Sequence, residues 1–498
     1  MVFRKNLILL LIGSLFLLPI LKYYSLNSSI FDMGIFQCNI YNNSIYGLGF
    51  AHIQIFQAIY SFFNTEYLLI LLQSSLVITS MYYVYKQSFR YKIYHLLVFL
   101  LSYAVWYNVL FDFHFDNLSI PFIFAFYYFI KEQKYKSAFV IGILVSLIKE
   151  PFALVTSFMG IYMIIKSKEY LKGSLLLIYG VVYFYIATYY IMPFFTPDYG
   201  LVGNDSYALF GAGGSLVDIA LYPITHFQEF IIDIITTKKI VYLIVLFSAF
   251  GLVVVFFSPL ELIPAIPPLG IAMLSNVENF YWYNTHYTAP LIAPFMVAFI
   301  YGLPRFILFC KKNIKYLDSE KKILILVFIP IILSHIVFSP SPISRFFWIE
   351  RAPQYYHTVY IPTERTAKIK EAILKYIPKD TNISVASQNT LNWGYLAHRK
   401  YYFAFPQGVI EDTSVVYVDS DSFIDVVTHL INQDKTIVKS KKVRADYVTI
   451  DMKRALYLID KSVTKEQFIK VVNKMRENYE VVYEYDEFFI YIRKNLNE

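Results

Sequence analysis

Charge and cysteine are what this sequence has least of. Charged residues make up 16% of its 498 positions, against roughly a quarter in an average soluble domain. Two cysteines, Cys38 and Cys310, are too few for a disulfide scaffold or a zinc site. No phosphate loop, dinucleotide fingerprint, nucleophile elbow or metal-spaced histidine pair occurs. What is present instead is apolar: 57% of residues are hydrophobic and 19% aromatic, and Tyr (46) and Phe (45) each outnumber Lys and Arg taken together (44). So much apolar surface cannot be hidden in a soluble core of this length, which excludes an ordinary cytoplasmic enzyme. It also excludes disorder, which needs few aromatics and dense charge. The net charge of +8 would suit nucleic acid, but in a membrane protein excess Lys and Arg mark cytoplasmic loops. A polytopic α-helical membrane protein with no nucleic-acid role is expected.

The charge is unevenly placed. Residues 350–498 hold 42 of the 80 charged side chains. A membrane domain over 1–345 followed by a water-soluble domain over 346–498 is therefore expected, joined at Ser339-Pro340-Ser341-Pro342, a stiff non-helical stretch. Apolar runs fall at about 7–21, 67–85, 93–110, 118–130, 137–148, 151–165, 173–192, 240–257, 259–275, 288–303 and 323–338, giving about eleven spans, several shorter than the ~20 residues of a perpendicular crossing. No cleavage site follows the first run, so it is retained as a helix.

Five basic clusters, at Arg4/Lys5, Lys86/Arg90/Lys92, Lys131/Lys134/Lys136, Lys166/Lys168/Lys172 and Lys311–Lys322, all lie inside if the N-terminus is cytoplasmic and 137–165 forms two short helices meeting at Lys149-Glu150-Pro151. Lys238 and Lys239 violate the rule. An odd number of spans puts the C-terminal domain outside the cell membrane, with outer loops at 22–66, 111–117, 149–151, 193–239 and 276–287.

Those loops collect the chemically capable residues. Asp32, in Phe31-Asp32-Met33-Gly34, is a carboxylate at an apolar boundary, costly unless paired or working. It serves as a general base or orients an acceptor, or else it caps a helix along the membrane surface. Asp112, His114 and Asp116 stand at i, i+2 and i+4: in an extended strand all three share one face, and in a helix only Asp112 and Asp116 do. They suit a divalent cation such as Mg or Mn, or a solvated loop in which Asp116 or Asn117 caps the next helix. Lys149 can hold a phosphate as a point charge or simply pair with Glu150. His286 and Tyr287 end an aromatic segment from Asn279 that reads as an interfacial belt or as a sugar or lipid platform. Gly211-Ala212-Gly213-Gly214 lacks the context of a phosphate loop and suits a lid.

In the outer domain, Ile383–Ser387, Val415–Val418, Tyr447–Ile450, Val481–Tyr485 and Phe488–Ile492 read as strands, with helices over Ser422–Asn432 and Lys465–Asn478. This gives a small α/β fold, in which Gln388, Asn392, His398 and Arg399 form a polar set that binds an acceptor or packs a scaffold.

Phe31–Phe36, Phe113-His114-Phe115-Asp116, Lys149-Glu150, His286-Tyr287, Ala386-Ser387-Gln388 and Phe405-Pro406, in this order, resemble a family of prokaryotic predicted membrane proteins known as domain of unknown function 2079, itself similar to the glycosyltransferase-C superfamily. The family has Leu where Met33 stands and Pro-Glu where Phe115-Asp116 stands, a carboxylate longer by one methylene. The resemblance implies a glycosyltransferase that takes sugar from a polyprenyl-phosphate donor in the membrane lipid at the outer face, with Asp32 as base and a glycan, lipid or protein as acceptor. A transporter or flippase of a lipid-linked or polar solute is the alternative.

Overall fold

A computed structural model describes residues 2–42, 65–195, 216–350, 354–419, 423–458 and 461–494. The centre of the first outer loop and the Gly211–Gly214 stretch lie outside them. The chain divides into two compact units. A helical unit comprises Met1–Phe16, Gln73–Phe111 and Phe115–Ile349, and an α/β unit comprises Leu17–Leu72, Asp112–His114 and Glu350–Glu498. The division after Ile349 lies close to the boundary drawn from charge at 345. The α/β unit also takes up Leu17–Leu72 and Asp112–His114, which charge alone grouped with the membrane half.

Among the described residues, five helices are long and apolar enough to cross a membrane: Asn6–Tyr24, Leu68–Gln87, Tyr170–Phe195, His286–Asn313 and Glu320–Phe338. A sixth crossing results if Lys92–Leu101 and Tyr103–Leu110, bent by 52°, count as one. The runs expected at 240–257 and 259–275 are interrupted. They fold as helix Thr237–Ala249, 3-10 turns Val254–Phe257 and Pro259–Ala265, and helix Ile266–Leu274, the second run carrying four prolines that withhold backbone donors.

The stretch 137–165 breaks where its charges require. Helix Tyr135–Ser146 ends before Lys149, and helix Phe152–Ser167 begins after Pro151. At 1.5 Å per residue these helices are about 18 and 24 Å long, short of the ~30 Å hydrocarbon thickness. Phe152–Ser167 packs on Tyr170–Ile186 backbone to backbone: a Cβ on Gly160 would lie 2.6 Å from the Gly173 carbonyl oxygen, the close approach that small residues permit between membrane helices.

The α/β unit is built on strands β1 (Ser384–Ser387), β2 (Tyr401–Ala404), β3 (Thr413–Val418), β4 (Val438–Val443), β5 (Tyr447–Asp451), β6 (Tyr457–Leu458), β7 (Lys461–Ser462), β8 (Tyr479–Tyr485) and β9 (Phe488–Arg493). Its main sheet runs β2-β1-β5-β9-β8, parallel across β2-β1-β5 and antiparallel from β5 through β9 to β8; β3-β4 and β6-β7 are separate antiparallel pairs. Alternation along the strands divides the core. Val385, Tyr402 and Ile490 face one layer with Ile369 and Ile373 of helix Glu364–Tyr376, while Ala386, Phe403 and Tyr491 face the other with Phe468 and Val472 of helix Lys465–Met475. Each of these helices opens with a capping box, at Thr363 and Thr464. Leu26, Ile30 and Cys38 complete the first layer, so the segment after the first helix is part of this domain's core.

Candidate functional site

In the α/β unit the site grows from the way the chain leaves its first helix. Leu26 takes a positive φ of 63°, and Ser28 then pairs antiparallel with Asn392. The Ile30 N–H donates to the Asn389 carbonyl at 2.9 Å. Ser29 caps the turn Ile30–Gly34 that holds Asp32: its hydroxyl accepts from the Asp32 N–H and donates to Asn389 Oδ1 at 2.9 Å. Gly34 is required by the closeness of this docking, since a Cβ there would lie 2.8 Å from Asn392 Oδ1 and 3.0 Å from Tyr402 Cε1. The N-cap of the turn is Ser29, and the Asp32 carboxylate is left for other work.

That carboxylate meets His114, with Asp32 Oδ1 3.0 Å from His114 Nε2 and side-chain exposures of 21% and 12%. Burial pushes the Asp32 carboxyl upward, but the hydrogen bond and charge of His114, with help from Ser29 and Lys22, outweigh it and hold the group below its ordinary value. Asp112 sits beside this pair. One of its oxygens accepts from Lys22 Nζ at 3.3 Å and the other from the Ser29 N–H at 2.6 Å. Burial pushes the Asp112 carboxyl up, Lys22 draws it down, and the neighbouring Asp32 charge raises it again.

The loop expected to present Asp112, His114 and Asp116 on one face changes conformation within itself. Asp112 and His114 lie in the α/β unit without regular secondary structure, and Asp116 sits in the first turn of the 3-10 helix Phe115–Leu118 of the helical unit. Asp112 and Asp116 thus belong to different units, and the two Asp112 oxygens accept from Lys22 Nζ and the Ser29 N–H.

In the helical unit the Asp116 turn is fixed by an amide network. Asn117 Nδ2 donates to Gln73 Oε1 and to the Asn108 carbonyl, both at 2.9 Å, and Asn108 Nδ2 donates to Thr288 Oγ1 at 2.8 Å. Asp116 Oδ2 lies 3.5 Å from His286 Nε2 and 4.0 Å from Lys149 Nζ. Lys149 stands 5.7 Å from the Tyr287 ring centre, and Tyr287 in turn packs against His286 at 4.2 Å and Phe280 at 4.3 Å. Asp116, Lys149 and Tyr287 open onto a small cleft whose remaining walls are apolar: Pro151, Phe152, Val155, Pro268, Ile271, Phe280 and Pro290. Glu150 is not among the lining residues; burial pushes its carboxyl up while the Lys149 charge opposes the rise.

The polar set of the α/β unit is engaged internally. Gln388 bonds to Ala455 and Asp451, Asn392 to Gln37, Arg399 to the carbonyls of Tyr395 and Pro378, and the His398 ring lies 3.7 Å from that of Tyr41. Lys238 and Lys239 are accounted for as well. Lys238 pairs with Glu278 at 2.5 Å, and Lys239 donates to the carbonyls of Asp233 and Met273 at 3.0 and 2.7 Å. Lys22, Ser29 and Asn389 are site residues that motif reasoning passed over; Ser29, three residues before Asp32, carried the only local signal, the spacing of a helix cap.

No curated protein matches the chain. The family model described as "Predicted membrane protein (DUF2079)" matches residues 22–490, a stretch that contains Asp32, His114, Asp116, Lys149 and His286, and the chain belongs to that family.

Proposed function

We propose that this protein is a membrane glycosyltransferase of the glycosyltransferase-C type, drawing sugar from a polyprenyl-phosphate donor. The observation that carries the reading is the cleft of the helical unit. An ammonium at Lys149 and a polar floor at Asp116 and Tyr287, enclosed by prolines, Phe152 and Ile271, suit a molecule with an anionic head and an apolar chain.

In this reading an acceptor hydroxyl attacks the anomeric carbon of the donor sugar. Asp32, held ionised, takes the hydroxyl proton as the new C–O bond forms, and His114 steadies the carboxylate. The bond between the sugar and the phosphate breaks, and its electron pair leaves with the phosphate, whose added negative charge Lys149 offsets. Asp112 is already bound to Lys22 and Ser29, so no step is routed through a divalent cation there. About eleven membrane passes, a cytoplasmic N-terminus and an extracytoplasmic α/β domain complete the proposal, the shorter helices crossing tilted or as shielded hairpins.

The test is sugar transfer from a radiolabelled polyprenyl-phosphate sugar in membranes. Asp32→Asn is expected to abolish transfer while membrane insertion persists and the protein stays folded at the assay temperature; retained transfer removes the assigned base. The transporter reading is favoured by one feature, the charged break Lys149-Glu150 between two short helices, since discontinuous helices line transporter sites. Solute uptake into proteoliposomes that is insensitive to Asp32→Asn would decide for it.

A further inference from the structure

We propose that the end of helix Leu68–Gln87 and the residues packed around it bind an anionic phospholipid, with Lys86, Lys92 and Lys131 meeting its phosphate and the rings of Tyr82, Tyr85 and Phe89 lying along its acyl chains. Leu68–Gln87 is long and apolar enough to cross a membrane, and so are the helix that opens at Glu320 and, taken together, the bent pair that opens at Lys92. Arg90, in the turn after Gln87, pairs with Glu320 at 2.9 Å. The end of one candidate crossing and the starts of two others therefore lie together. Where crossings end together, hydrocarbon gives way to headgroups.

The rings face outward at this level. Tyr82 and Tyr85 stand three residues apart, on one face of the candidate crossing, and both are exposed, as is Phe89 just beyond its end. Each ring carries a cation. Lys86 Nζ lies 5.5 Å from the Tyr82 ring centre, Lys92 Nζ 4.3 Å from that of Tyr85, and Lys131 Nζ 4.0 Å from that of Phe89. Tyr128, three residues before Lys131, meets Tyr82 edge-on at 6.5 Å, which brings helix Ser119–Lys131 into the same surface. That helix is thirteen residues long, about 20 Å, and leads here from the Asp116 turn, so the site is distinct from the Asp116–Lys149 cleft.

Its charge is one-sided. Residues 86–92 and 131–136 hold six cations and one acid, Glu132. Arg90 has Glu320, but among the described residues no carboxylate forms an ion pair with Lys86, Lys92 or Lys131. The Lys131 ammonium donates to the Lys86 and Gln87 carbonyls at the end of their helix. Burial lowers its pKa, Glu132 opposes the fall, and the charges of Lys92 and Lys86 add to it. Ammoniums that repel one another in this way are relieved by an anion from outside the chain. The rings decide which anion. They belong to a helix that crosses the bilayer, so a ligand that meets ring and ammonium together is amphiphilic, with acyl chains beside Tyr82 and Tyr85 and a phosphate at the lysines. A lipid with a neutral headgroup would meet the rings and leave the repulsion in place.

The test is native mass spectrometry of the full-length protein in neutral detergent, titrated with phosphatidylglycerol, phosphatidylcholine or inorganic phosphate. Phosphatidylglycerol should bind in preference to phosphatidylcholine. A lysine beside an anionic headgroup is worth about fivefold in affinity, so Lys86→Gln with Lys92→Gln should weaken the tightest phosphatidylglycerol binding roughly 30-fold. Lys86→Arg with Lys92→Arg should retain it, which separates lost charge from a damaged fold. Lys439→Gln with Lys441→Gln, the same change of charge on the exposed residues of β4, should leave it unaltered. The proposal is overturned if the first glutamine pair binds as the parent does, if both glutamine pairs weaken binding equally, or if the arginine pair loses it as fully. Equal binding of phosphatidylcholine overturns it too, and displacement of phosphatidylglycerol by millimolar inorganic phosphate would replace the lipid with a soluble anion as the occupant.

Discussion

His114 Nε2 lies 3.0 Å from Asp32 Oδ1, joining two residues that stand 82 apart in the chain. The folded state holds Asp32 below its ordinary value near 3.8. A carboxyl with a depressed value contributes stability that is complete above its unfolded value and disappears as pH falls through the folded one. The melting temperature of purified protein should therefore exceed that of Asp32→Asn near neutrality, and the gap should close on acidification below about pH 4. A gap that widens in acid would show that the pair favours the protonated carboxyl instead.

Lys22 and Asp112 form a second pair with side-chain exposures of 6% and 9%. Removing one member of so enclosed a pair strands the other, and about 3–5 kcal/mol is the usual cost. Lys22→Met and Asp112→Asn should each lower stability by that order. The double variant should be less damaging than the sum of the singles, because neither charge is then left alone. Thermal unfolding of all four proteins makes the cycle, and strict additivity would mean that the pair is not coupled.

How far the sequence reveals this site depends on the range of each interaction. The break at Lys149-Glu150-Pro151 is local: charge on either side and a proline in the middle give two helices rather than one. The strands β1, β5, β8 and β9 are legible because their apolar residues are dense and β-branched or aromatic. Strand β4, Val-Lys-Ser-Lys-Lys-Val, and helix Glu364–Tyr376 were missed, since charge hides the apolar period in both. The union of Ser28 with Asn392 had no local signal at all. It joins residues 364 apart through backbone groups, which every residue carries alike. Only the resemblance, which set Phe31–Phe36 beside Ala386-Ser387-Gln388 in one ordered list of motifs, hinted that these segments act together.

That union makes Gly34 a structural test. A Cβ at position 34 would press on Asn392 Oδ1, Tyr402 Cε1 and Ile30 Cγ2 at 2.8, 3.0 and 3.2 Å. Neither Asn392, held by Gln37, nor Tyr402, fixed in β2, can withdraw cheaply. Gly34→Ala should cost about 1–3 kcal/mol by overpacking, and Asn392→Ala in the same protein should recover part of it. A melting temperature unchanged by Gly34→Ala would mean that the turn stands further from the sheet than 2.8 Å allows.

Lys149 separates phosphate binding from simple pairing. Its Nζ is 4.0 Å from Asp116 Oδ2 and 29% exposed, so the ion pair with Asp116 is loose and contributes on the order of 1 kcal/mol or less. If the ammonium serves only that pair, Lys149→Gln should leave sugar transfer close to normal. If it offsets charge developing on a departing phosphate, Lys149→Gln removes a charge-assisted contact made in the transition state, and kcat should fall by roughly 10²–10³-fold with the melting temperature little changed. Lys149→Arg keeps the charge and should restore part of the rate, yet its planar guanidinium is broader than an ammonium and must fit beside the Tyr287 ring, 5.7 Å from the native ammonium. Partial rescue by Arg but not by Gln, read as kcat rather than KM, would identify the residue as a phosphate counter-charge; equal activity of both variants would reduce it to scaffold.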